Sequence, residues 1–151
     1  MSNRKSTSKG FSLIEVLFAV FLVALCAVIL AASMPLANKS RIRADQYNKA
    51  LNLAQKQLEA IRGKGYANAT PSQLYSLGLI DSTTPIATNT YSFTNSDSAA
   101  LDNPSLILPS GAGSVLVEQA DLDLRRIIVK VTWNDRGVTK EVQLGTLVAN
   151  L

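Results

Sequence analysis

Apolar and polar positions divide the chain into stretches of different period. From Phe11 to Ala37 it is almost wholly apolar, without a single polar side chain from Val16 to Ala32. A helix rises about 1.5 Å per residue and a bilayer core takes about 20 apolar residues, so Phe11 to Met34 is long enough to span a membrane. Past this run the pattern becomes helical: Tyr47, Leu51, Ala54, Leu58 and Ile61 recur at spacings of four and three, which places them on one face. Asp45 and Lys49 form an i,i+4 pair in the favourable order, and Gly63 and Gly65 supply a stop. Pro35 lacks an N–H and predicts a kink or local break near the end of the apolar run.

Beyond residue 65, Thr70-Pro71-Ser72-Gln73 predicts a capped short helix with Thr70 at the cap and Pro71 in the first turn, ended by Gly78. Residues 81–113 are rich in Ser, Thr, Asn, Asp and Pro, with brief apolar pieces at Tyr91 to Phe93 and Leu106 to Leu108, a loop-rich region with room for an edge strand. The strongest strand signal lies later. Ile127, Val129, Val131 and Trp133 alternate with Ile128, Lys130 and Thr132, and Val138, Val142 and Leu144 alternate after the turn residues Asn134 to Gly137. A four-residue loop pairs Trp133 with Val138, Val129 with Val142 and Ile127 with Leu144; it places Lys130 opposite Glu141 and Lys140 on the buried face. Ser114 to Glu118 is a third strand. The expected fold is α+β: one long kinked N-terminal helix, transmembrane in its first half, whose second half packs Leu51, Leu58 and Ile61 on a small antiparallel sheet. The expected organisation is 1–10 as a basic leader, 11–37 as the hydrophobic helix, 38–65 as its amphipathic continuation, and 66–151 as the loop-rich region with the sheet.

Composition changes the functional picture more than the fold. The formal charge of +4 is concentrated at the start: Arg4, Lys5 and Lys9 lie in the first ten residues, leaving 12 basic residues against 11 acidic ones. That balance does not suit a nucleic-acid binder. Arg125, Arg126, Lys130, Arg136 and Lys140 gather near the hairpin, but Asp121, Asp123, Asp135 and Glu141 are interleaved with them, the mark of a mixed-charge face. The chain has no histidine, and its one cysteine, Cys26, sits in the apolar run. The commonest general base is therefore missing, no intrachain disulfide can form, and no catalytic motif organises the remaining groups. An enzyme is not expected, nor any cofactor. Glu118, Asp121 and Asp123 lack the spacing of a calcium loop.

Three readings fit a basic leader before an apolar run: a secretory signal cut after it, near Ala31-Ala32-Ser33; a plain anchor; or a leader cut before it. Signal h-regions run about 7–15 residues, shorter than this one. Glu15 separates the three. A carboxylate inside an apolar span costs about 2–3 kcal/mol on insertion scales, and neither a plain anchor nor a signal gains from it. A cut after Gly10 would create a cation, the α-amine of Phe11, in the same apolar layer. An ion pair between that amine and Glu15, within a helix or between staggered helices, would compensate both charges and set the register of a bundle.

Lys9-Gly10-Phe11-Ser12-Leu13-Ile14-Glu15, followed by Val16 and Leu17, resembles the cleavage and methylation motif of type IV prepilins and type II secretion pseudopilins. The resemblance implies a prepilin peptidase that cuts between Gly10 and Phe11 and methylates Phe11, with Glu15 acting in assembly. It implies a single-pass protein of the bacterial inner membrane, N-terminus cytoplasmic, held in lipid until it joins other pilin or pseudopilin subunits at an assembly platform and enters a periplasmic or surface filament. Basic residues flank the span on both sides, with Lys39, Arg41 and Arg43 after it, so the orientation rests on the resemblance. Many major pilins close a C-terminal loop with a disulfide. Having no cysteine there, this chain fits a minor subunit: a minor pilin, a minor pseudopilin, or a DNA- or surface-binding minor pilin. A secreted soluble domain with an ordinary signal is the remaining alternative.

Overall fold

A computed structural model of the chain describes residues 12–96 and 101–150. The chain falls into two units, Met1–Ile42 and Arg43–Leu151. Helix α1, Leu13–Gly63, supplies the described helix of the first and continues into the second. It passes Pro35 as one element, so the expected local break is not formed. Proline withdraws one hydrogen bond from the ladder, and the helix-forming residues on either side keep the rest.

In the second unit α1 ends at Gly63, and Gly65, with φ of +76°, begins a single turn, α2 (Gly65–Asn68). Helix α3, Pro71–Ser76, forms as the sequence predicts: the Thr70 hydroxyl accepts from the Gln73 N–H at 3.4 Å. Gly78 (φ +67°) closes it in a Schellman turn, with the Gly78 N–H on the Tyr75 carbonyl and the Leu79 N–H on that of Leu74. Strand β1 is the short Thr90–Ser92. Leu106 and Ile107, by contrast, belong to a helical turn, α4 (Pro104–Ile107), which Pro104 starts.

Strands β2 (Ala112–Asp121), β3 (Leu124–Asp135) and β4 (Val138–Ala149) complete a four-stranded antiparallel sheet in the order β1-β2-β3-β4. The alternation on β3 is as expected: Ile127, Val129, Val131 and Trp133 are buried. The β3–β4 register is not. Val131 faces Val142, Val129 faces Leu144, and Trp133 faces Lys140, two residues away from the expected pairing. The loop is Arg136–Gly137 alone, both left-handed at φ +56° and +85°, the turn whose twist matches a right-twisted hairpin. Asn134 and Asp135, read from sequence as loop residues, belong to the strand. The Asn134 side-chain oxygen accepts from the Gly137 N–H at 2.6 Å, and Asp135 is buried. Lys140 does share the face of Trp133 but is exposed on the edge strand. Lys130 and Glu141 meet at 2.6 Å across a diagonal, since the direct partner of Lys130 is Gln143.

The helix face turned to this core is also shifted. Ala50, Leu53, Ala54, Gln57 and Ile61 are buried, while Leu51 and Leu58 flank the core half-buried and Tyr47 is half exposed. Gln57 reaches across to donate to the Leu79 carbonyl, a buried polar contact invisible to a hydrophobic count. The core continues through Leu74, Ile80, Phe93, Val115 and the β3 residues.

Candidate assembly segment

Of the three site residues expected from sequence, Gly10 and Phe11 lie outside the described residues. Glu15 lies in the first turn of α1, where its N–H and that of Val16 donate to the Ser12 carbonyl at 3.0 and 3.2 Å. A carboxylate there gains from the helix dipole, by about 0.3–1 kcal/mol at an exposed position, less than the cost of placing it in lipid. Among the described residues, no hydrogen bond or ion pair reaches the Glu15 carboxylate. It is the only charged side chain between Lys9 and Lys39.

The side chains around it are apolar and uncovered. Leu13 is 82% exposed, and Leu17, Phe18, Phe21 and Val23 are all more than half exposed. An 18-residue window of α1 reaches a mean hydropathy of 3.0 with none of it buried. A helix that is apolar on every side and covered on none belongs in lipid or among other helices. Cys26, also exposed, belongs to this stretch.

The basic residues near the hairpin do not form one patch. Arg126 pairs with Glu118 and Lys130 with Glu141 on the outer face. Arg125 donates to the Tyr66 carbonyl at 2.8 Å and stacks 4.4 Å from the centre of its ring. The three acids weighed for calcium also diverge: Glu118 takes Arg126, Asp121 accepts from the Leu122 N–H, and Asp123 accepts from Asn150. Sequence reasoning missed the pair of Arg43 with the buried Asp135, at 3.0 Å, and the edge-to-face contact of Tyr47 with Trp133, 6.4 Å between ring centres. Both join α1 to β3, a packing that no local pattern in the sequence carries.

A family model described as the prokaryotic N-terminal methylation motif matches residues 5–31. No curated protein and no solved structure matches the chain. The matched residues take in the Gly10–Phe11 junction, Glu15 and most of the uncovered apolar helix.

Proposed function

We propose that this chain, which carries the N-terminal methylation motif of the type IV pilin-like prepilins, is a minor structural subunit of a pilus-like filament. Prepilin peptidase cuts it between Gly10 and Phe11 and methylates Phe11. One observation carries the reading: a lone carboxylate, Glu15, without a partner among the described residues, on an uncovered apolar helix inside the motif. The motif family supports a structural role and processing by the peptidase; the lack of a second cysteine supports a minor rather than a disulfide-closed major subunit.

The mechanism is physical. The uncleaved chain rests in the inner membrane with its leader on the cytoplasmic side. Cleavage creates the Phe11 amine, four residues before Glu15 in the same apolar layer. The amine of one subunit meets the carboxylate of its neighbour, which neutralises both and fixes the axial step between helices. Lipid and bundle are equally apolar, so burial contributes little net driving force; the ion pair, helix packing and the assembly platform supply direction.

Processing tests the reading at Gly10. A Gly10→Ala chain is expected to be cut nearly as well as the parent, whereas Gly10→Trp should remain at its full mass, because a bulky side chain cannot enter a site shaped for glycine. Co-expression with the peptidase and mass measurement decide it, and full processing of the Trp variant contradicts the reading.

A further inference from the structure

At the turn end of the β3–β4 hairpin two hollows, of about 340 and 220 Å³, share a rim of Arg43, Asp135 and Lys140; Arg136 lines the smaller one. The larger is walled by Tyr47 and Trp133, which meet edge to face. Three cations therefore surround one carboxylate, and Asp135 is already engaged by Arg43. Neither Arg136 nor Lys140 joins an ion pair among the described residues. This surplus contrasts with the outer sheet face, where Arg126 and Lys130 are each matched by a glutamate.

We propose that this cationic, aromatic-walled rim is a docking surface for the anionic phospholipid headgroups of the membrane that holds the unassembled subunit. Two observations select that occupant. The rim carries net positive charge, complementary to an anionic headgroup, beside a Tyr and a Trp ring, side chains that settle at either bilayer interface. Arg43 also lies six residues beyond Ala37, where the apolar run ends. Six residues span at most about 20 Å even when fully extended, so the rim cannot stray far from the headgroups once the run is in the bilayer. The inference rests on the membrane-anchored reading of that run. It adds a function for the folded unit: before assembly, lipid holds the hairpin end at the surface, and incorporation into a filament must release it.

Trp133 is the one tryptophan of the chain and so reports on this surface alone. The full chain is reconstituted in phosphatidylcholine vesicles, with or without phosphatidylglycerol, containing lipids with a nitroxide on the headgroup. Nitroxide quenching acts through space, so burial of the ring does not hide it. Quenching of Trp133 is expected to be roughly twofold stronger in the anionic vesicles and to fall back when salt is raised. The double variant Arg136→Asn, Lys140→Gln removes two charges without breaking a described ion pair, and asparagine accepts the left-handed turn position. It should quench alike in both vesicle types while still floating with them. Equal wild-type quenching in neutral and anionic vesicles, or a variant that quenches like the parent, overturns the proposal and leaves the rim to an acidic surface of a neighbouring subunit. Failure of the parent chain to float with vesicles overturns instead the membrane-anchored reading beneath it.

Discussion

A Glu15→Ala chain is expected to lose its leader normally and then to enter filaments on the order of 30- to 100-fold less than the parent. Two effects act in the same direction. Removing the carboxylate relieves a cost of about 2–3 kcal/mol to the helix in lipid, so the membrane-held state becomes more comfortable. In the bundle, the same change leaves the neighbour's Phe11 amine without a counter-charge, which penalises the assembled state. At about 1.4 kcal/mol per factor of ten, either effect alone shifts the distribution measurably. Glu15→Gln, which keeps the shape and drops the charge, should behave almost as badly and so separates charge from packing. Immunoblots of sheared filaments against the membrane fraction give the ratio, and the mass of the membrane-held chain verifies cleavage. Normal incorporation of both variants removes the register role of Glu15.

Phe93→Ala is expected to destabilise the folded unit by about 3–5 kcal/mol, a large share of the 5–15 kcal/mol usual for a domain. The Phe93 ring is 2% exposed and its N–H donates to the Gly113 carbonyl at 3.0 Å. Gly113 is the seat of that ring: a Cβ added there would come within 2.5 Å of the ring atoms Cε2 and Cζ. Gly113→Ala should therefore cost about 1–3 kcal/mol by overpacking, although alanine is otherwise the better strand residue. Phe93→Leu combined with Gly113→Ala should lose less than the two single changes together, because the smaller side chain makes room for the added methyl. Urea unfolding of the full chain in detergent, followed by Trp133 fluorescence, measures all three. A Gly113→Ala chain as stable as the parent would show that the ring does not rest there.

Much of the fold was legible because long patterns are hard to mistake. The apolar run, the alternation from Ile127 to Trp133, and the Thr70-Pro71 start with Gly78 as stop each reappear as an element. What escaped depended on tertiary context. Asn134 and Asp135 have the composition of a turn, but the left-handed residues Arg136 and Gly137 make the turn alone, so both pair in the strand and the register moves by two. Gln57 counts as polar in any periodicity, yet it occupies the centre of the packed helix face because the Leu79 carbonyl is there to receive it. Leu106 and Ile107 look like strand residues until Pro104 starts a helical turn before them. In the candidate assembly segment, Glu15 stood out from its cost alone, since a charge at the head of a long apolar run is visible without any structure. Its proposed partner belongs to another copy of the chain and could be named only by asking which cation shares its layer.

The central claim concerns where the mature chain begins. Intact-mass and N-terminal measurement of the protein purified from membranes of a cell containing the peptidase tests it directly. A chain that starts at Phe11, carrying one added methyl group on its amine, is the predicted result. A chain that starts near Ser33 or Met34, or one that keeps Met1 to Gly10, would contradict it.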